Sequence, residues 1–446
     1  MAIGTSREAE LANFHLVVGT RRRIAVRLLP FLFILYIANF LDRTSVSYAA
    51  IGMSRDLSFS DSVFGFGVGV FFIGYLALQI PGALLVERWS ARKIISASMV
   101  LWGSLTALTA LVHTPTQLYF ARFFLGIAEG SFFPGVILYL SHWFIRKDRA
   151  KAASNYMAAV PLSLLIGSPI AGWIIGHHWL GLEGWRWLFF LEGMPAILLG
   201  IIAFFYLSDW PKDSAWLSAE QRTWITRELE AEKPVDRRTV TVMETLRSGK
   251  VLLLGAVAFL AYVPAYTAIF WLPTLLKRQT GASDLNVGLL LVIPFGASLL
   301  AMLINGWHSD KHLERRWHAA CPVLAAALAA LGLITLPQSL PMTLFLFSLL
   351  MVQTAFLPTF WAIPTEILSE TAAAAAVGVM SCIANIAGFF GPMLFGYLHT
   401  RTGSLSSGYA MLMASGIASA ILVLVIPGTR RPVPAEFSTS PLPAEV

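Results

Sequence analysis

The feature that most constrains this chain is a succession of long apolar runs. The first includes LLPFLFILYI at residues 28–37 and is nearly unbroken. Twelve such stretches lie near 26–52, 63–85, 94–112, 117–140, 153–176, 187–207, 251–276, 286–307, 319–336, 341–364, 375–397 and 408–427. A helix needs roughly 20 mainly apolar residues to cross the hydrocarbon core of a bilayer. None of the runs alternates with the period of two that a membrane β-barrel requires. Composition agrees: 57% of residues are hydrophobic and 13% charged, against about 25% charged in soluble domains. The expected fold class is an all-α integral membrane protein with twelve transmembrane helices.

Residues 1–23 are polar and end in Arg21, Arg22 and Arg23. The apolar run that follows is too long for a signal-peptide core and lacks a small-residue cleavage site, so no cleavable signal is expected. Cys321 and Cys382 fall near or in apolar stretches without metal-ligand spacing, and read as small hydrophobes. If the N-terminus is cytoplasmic, inner segments hold 25 of the 32 Lys and Arg, outer loops hold 5, and Arg43 and Arg122 lie in the membrane. That bias puts both termini in the cytoplasm of a cell whose inner membrane the protein spans. The net charge of +7 then faces anionic lipid, and no nucleic-acid partner is implied.

The one long polar segment between helices, 208–250, divides the chain. Residues 1–207 form a first six-helix bundle, 208–250 a cytoplasmic linker, 251–427 a second six-helix bundle and 428–446 a cytoplasmic tail. Ser218 and Gln221 have capping-box spacing, which predicts a short surface helix in the linker. The halves echo one another. PGALLVERWSARK carries Glu87, Arg88, Arg92 and Lys93, and GWHSDKHLERR carries Asp310, Lys311, Arg315 and Arg316. Repeated halves around a site at mid-membrane are the architecture of rocking transporters. The loop charges are candidates for a cytoplasmic gate, with simple positive-inside decoration as the plainer alternative. Glycines in FGFGVGV (64–70), at 167 and 172, and at 388, 391 and 396 read as places where helices press together.

Charges inside the apolar runs are few: Asp42 and Arg43, Arg122 and Glu129, and Glu192, whose burial the sequence leaves open. Each costs at least about 2.5–3.5 kcal/mol at mid-bilayer, so they must face protein or a wet cavity. Arg122 and Glu129 are seven residues apart, so they share a helix face roughly 10 Å long. Asp42 and Arg43 are neighbours and point about 100° apart, so each is expected to meet its opposite charge on the fourth helix. The four could be a purely structural network, although buried ion pairs are weak sources of stability. With both acids ionised the four sum to zero. Protonating one or both leaves an uncompensated Arg, whose planar fork suits a carboxylate. Protonation and anion binding then favour each other reciprocally, which is proton–anion symport. Tyr36, Asn39, Tyr75, Tyr262, Tyr266, Gln353, Thr359, Trp361 and Asn385 could complete the cavity.

The stretches NFLDR (39–43), FGFGVGVFFIGYLALQIPGALLVER (64–88), RFFLGIAEGSFFPG (122–135), GWRWLFFLEGMPA (184–196), GWHSDKHLERR (306–316) and the alanine-rich run with Asn385 resemble the major facilitator superfamily. Within it they resemble the anion:cation symporters. That resemblance implies proton-driven uptake of an organic anion such as a sugar acid, tartrate or an aromatic carboxylate. It implies proton carriers at Asp42 and Glu129, and anion contacts at Arg43, Arg122, Tyr75 and Asn385. From the repetition of the loop charges, the cytoplasmic gate is expected to draw on Glu87, Arg88, Arg92, Asp310, Lys311 and Arg315. No cofactor or metal beyond the proton gradient is implied, and the expected state is a monomer. The superfamily's loop signature is kept loosely: Glu87 stands for Asp, and Ser90 and Leu313 for glycines. Phe40 stands where some sugar-acid transporters have a tyrosine, a hint of a less hydroxylated substrate.

The sequence offers no enzyme motif. His308 and His312 flank Asp310 at a helix end, not an HExxH. No appended signalling domain marks a sensor. An anion exchanger or an efflux antiporter of the same fold remains the alternative.

Overall fold

The computed structural model describes residues 2–232, 244–245, 247–367 and 370–426; the expected tail 428–446 lies outside the described residues. Twelve helical spans follow in order: α1 (Ala2–Leu57), α2 (Asp61–Arg88), α3 (Ala91–Thr109), α4 (Pro115–Trp143), α5 (Arg146–Ile175), α6 (Gly184–Tyr206), α7 (Gly249–Thr280), α8 (Asp284–His312), α9 (Arg316–Thr335), α10 (Leu340–Phe360), α11 (Glu370–Thr402) and α12 (Leu405–Val425). Among the described residues, eleven helices are long and apolar enough to cross a membrane. The exception is α3, only 19 residues long, whose first turn holds Arg92 and Lys93 and whose remainder carries Ser96, Ser98, Ser104, Thr106 and Thr109.

Packing shows that α3 crosses all the same. Along α2 and α4, Gly67 meets Leu118, Gly74 meets Phe123 and Gly82 meets Ser131. The two helices therefore run parallel, and the short α3 between them must return the chain to the other side. Side chains close the ends: Ser90 caps α3, and Thr114 with Gln117 forms a capping box on α4 behind Pro115. In the linker, Ser218 and Gln221 form their capping box on a surface helix, Ala219–Ala231.

Small residues set the closest approaches, as the sequence suggests. A Cβ on Gly103 would lie 2.7 Å from the Gly193 carbonyl of α6, and one on Gly65 2.6 Å from the Pro392 carbonyl of α11. The GxxxG of α2 thus presses on the other half of the molecule. So does α5, where Gly172 and Ser168 approach Asp284 and Gly288 of α8.

These contacts between halves cluster at one end. We call the side holding the start of α1 and the end of α12 the terminus face, and its opposite the far face. At the far face Asp61 of α2 accepts from Arg278 of α7 at 2.6 Å and pairs with His399 of α11. Among the described residues, the ion pairs on the terminus face stay within one half, as in Arg21–Asp148 and Arg315–Glu366. Glu87 and Arg88 at the end of α2 are exposed there. Among the described residues, the ion pairs that join the halves lie at the far face.

Candidate functional site

The site grows from the polar stripe on α1 and the far-face half of α4. Pro134 lacks the N–H that would bond back to Gly130, and α4 duly breaks at Ser131 into Pro115–Gly130 and Phe132–Trp143. Glu129 therefore sits in the last turn before a break, against α2: a Cβ on the next residue, Gly130, would lie 2.5 Å from the Tyr75 carbonyl.

Arg43 and Glu129 meet as expected. Arg43 Nη2 donates to Glu129 Oε2 at 2.8 Å and Nε to the same oxygen at 3.1 Å. Asn39 Nδ2 donates to that oxygen at 2.9 Å. Three donors thus converge on one carboxylate oxygen, while Oε1 makes no hydrogen bond within the protein. The Arg43 guanidinium also lies over Tyr75, 4.9 Å from its ring centroid, a cation–π contact.

The second expected pair does not form. Asp42 and Arg122 are each wholly buried, yet both Asp42 oxygens and all three Arg122 nitrogens lack a hydrogen-bond partner within the protein. The reason is Phe71. Arg122 stacks on its ring at 4.7 Å from the centroid, and Arg43 lies 5.3 Å from the same centroid. One aromatic ring is shared by both cations. Asp42 instead lies beside the Thr106 hydroxyl of α3. Arg122 keeps its charge–charge attraction to Asp42 and Glu129, but not contact.

Within the second half, Tyr266 donates to Asn385 Oδ1 at 2.9 Å, and Trp361 donates to the Tyr262 hydroxyl at 3.0 Å. Tyr36 stacks on Tyr156 at 4.4 Å between centroids. Gln353 is buried, and its side-chain amide makes no hydrogen bond within the protein. Thr359 is turned away and bonds the Phe356 carbonyl of its own helix.

Sequence reasoning missed Gln79. Its Nε2 donates to Ser381 at 3.2 Å, and its Oε1 accepts from Asn385 at 3.4 Å. The signal was there: Gln79 is one turn past Tyr75 on the same face of an otherwise apolar helix. Cys382 is more than a small hydrophobe, since its Sγ lies 3.7 Å from Gln79 Oε1. Phe71 carried no signal among so many phenylalanines.

The loop charges take separate places. Arg92 donates its backbone N–H to Asp209 at 2.9 Å and lies over Phe204, while Lys311 lies over Trp307. Arg315 bonds Glu366 at 2.9 Å and also pairs with Asp310. The His308 and His312 rings lie tilted, 4.1 Å apart, at the end of α8, where His318 comes within 2.6 Å of His308. A cavity of about 470 Å³ opens beside these histidines, between α8, α9 and α10. It does not include the charged residues of α1 and α4.

The Major Facilitator Superfamily model matches residues 32–392 and 254–444. A protein of Agrobacterium vitis named "Putative tartrate transporter" is 38% identical over 422 residues, covering 94% of this chain and 96% of its own length. A "Quinolone resistance transporter" of Acinetobacter baumannii is 32% identical over 420 residues, covering 91% and 94%. The crystal structure of a bacterial homologue of the human lysosomal transporter Spinster superposes with a TM-score of 0.72 at 21% identity, covering 90% of this chain and 95% of that one. The chain belongs to the major facilitator superfamily. It is a multi-pass membrane transporter and not an enzyme.

Proposed function

We propose that this chain takes up an organic acid anion together with protons, by alternating access across a bacterial inner membrane. In this reading the terminus face is cytoplasmic, the far-face pairing of Asp61 with Arg278 and His399 belongs to the inward-open state, and the protein works as a monomer. The observation that carries it is the state of the two cations: Arg43 held by a carboxylate that can be neutralised, and Arg122 buried with no hydrogen-bond partner in the protein. Two guanidinium groups on one ring make a site for an anion with more than one acceptor group.

The steps follow from the contacts. Protonation of Glu129 weakens its hold on Arg43 and frees the guanidinium fork for a substrate carboxylate. Protonation of Asp42 removes one of the two counter-charges, Glu129 and Asp42, that Arg122 feels. Tyr75 would flank the bound anion, and Asn385, fixed by Tyr266 and Gln79, would meet it from the other half. Closing the terminus face then requires the charges near Glu87, Arg88, Arg92, Asp310, Lys311 and Arg315 to change partners, which is the gating role assigned to them. The A. vitis relative's name favours tartrate or a related hydroxy-acid as the substrate class. Efflux by antiport is the second reading, favoured by the name of the A. baumannii relative.

Thermal melts of the purified protein test this. Tartrate, galactarate or an aromatic carboxylate should stabilise it more at acidic than at alkaline pH, and Arg43→Gln should abolish the shift. Stabilisation by a quinolone and by none of the anions would favour the efflux reading and overturn this one.

A further inference from the structure

The cavity of about 470 Å³ between α8, α9 and α10 takes no part in the site described so far. Its floor is made of compact side chains: Ala301 of α8, Pro322 and Ala325 of α9, and Ala355 of α10. Pro322 has no N–H to bond back to the His318 carbonyl. Asn305 of α8 donates to that carbonyl instead, and to the Ala355 carbonyl, both at 2.8 Å. One amide thus ties the three helices together beside the cavity. Two rows of exposed apolar side chains flank it, Leu300 and Ile304 on α8 and Leu324 and Leu328 on α9. It is therefore a groove that opens toward lipid.

Its terminus-face end is polar. His308, Trp317 and His318 line it, and Trp307 and Trp317 are exposed there, as aromatic side chains are where hydrocarbon meets headgroups. The histidines are tied to their neighbours. One ring nitrogen of His318 faces Glu314 at 2.7 Å and the other faces His308 at 2.6 Å, while His312 bonds the His308 carbonyl. The acids are taken up as well. Glu314 accepts from the first N–H groups of α9, those of Trp317 and His318, and Asp310 and Glu366 both hold Arg315. Two cations remain with no ion-pair partner among the described residues: Lys311, which lies over the Trp307 ring, and Arg316, next to Trp317 in the chain.

We propose that this groove binds an anionic phospholipid of the terminus-face leaflet, with one acyl chain along the apolar floor and the phosphate at Lys311 and Arg316. The floor runs from His308 back to Ala301, roughly 10 Å of helix, which leads a chain from headgroup level into the hydrocarbon. The volume falls within the about 300–1,000 Å³ typical of ligand pockets. Charge selects the headgroup. Two cations whose neighbouring acids are already bound favour a net negative headgroup over a zwitterionic one, which carries its own cation. The apolar floor selects a lipid over a soluble phosphate, which would leave that floor uncovered. The proposal does not depend on which anion the protein moves, or in which direction.

Native mass spectrometry of the detergent-purified protein tests this, with phosphatidylglycerol, phosphatidylcholine of the same acyl chains, and glycerol phosphate as probes. Wild type should hold phosphatidylglycerol about tenfold more tightly than phosphatidylcholine, and Lys311→Gln combined with Arg316→Gln should bring the two lipids within about twofold of each other. Cys321 lines the groove and is exposed, so Cys321→Trp fills the groove from its rim without crowding the core, and should weaken both lipids. Glycerol phosphate should not be retained. Equal retention of both lipids by wild type, or a preference that survives loss of both cations, would overturn the headgroup site. Undiminished lipid binding by Cys321→Trp would place the chain outside the groove and overturn the proposal. Retention of glycerol phosphate as strong as that of phosphatidylglycerol would make this a soluble-phosphate site and overturn it equally.

Discussion

Arg43→Lys separates charge from geometry at the site. Arg43 gives Glu129 two N–H donors, at 2.8 and 3.1 Å, and spreads its plane over Tyr75 and Phe71. Lysine keeps the charge but presents a point cation on a flexible stem, and it cannot grip a carboxylate with two parallel bonds. The account has the substrate carboxylate take over the grip that Glu129 holds in this state. Losing one charge-assisted hydrogen bond costs about 1.5–3 kcal/mol, which is roughly 10- to 150-fold in affinity at 1.4 kcal/mol per factor of ten. Resting stability should change far less, because lysine still neutralises Glu129. The assay is calorimetric titration of Arg43→Lys and wild type with the anion that the melts identify, at a pH where wild type binds. A Kd within about twofold of wild type would refute the reasoning, because the fork would then contribute nothing to recognition.

Further perturbations probe other parts of the account. Asp42→Asn removes a proton carrier without removing a cation, so it should abolish accumulation against a gradient while anion exchange persists; proteoliposome flux measures both. Asp61→Asn breaks the far-face latch to Arg278 and His399. It should shift the protein toward a state open at the far face, read as longer spin–spin distances between labels on the far ends of α2 and α11. Gly103→Ala would put a methyl group 2.7 Å from the Gly193 carbonyl, an overpacking that costs about 1–3 kcal/mol and should lower the melting temperature in detergent.

The outline of the fold was legible because lipid imposes a length and a composition on every crossing helix. Where α3 departs from that composition, its direction follows from the parallel packing of α2 and α4, which sequence cannot supply. The charged residues were legible for the same reason: an Asp or Arg in an apolar run is expensive and so stands out. Their partners were only half legible. Arg43 found Glu129, but the expected Asp42–Arg122 contact is displaced by Phe71, one phenylalanine among 30. Gln79 was overlooked because a single amide in a membrane helix is cheap compared with a charge. The burial of Glu192 depends on how α6 rotates against α1, and no pattern within α6 fixes that. The far-face latch of Asp61 to Arg278 and His399 is a property of one conformation, and a single sequence encodes all of them.

The most direct test of the central claim is anion uptake by wild-type and Glu129→Gln protein in liposomes, with and without an inward proton gradient. The account predicts that wild type accumulates the anion above equilibrium only when the gradient is present. Glu129→Gln, unable to release and regain a proton, should equilibrate the anion but never concentrate it. Accumulation by Glu129→Gln equal to that of wild type, or wild-type uptake indifferent to the gradient, would contradict it.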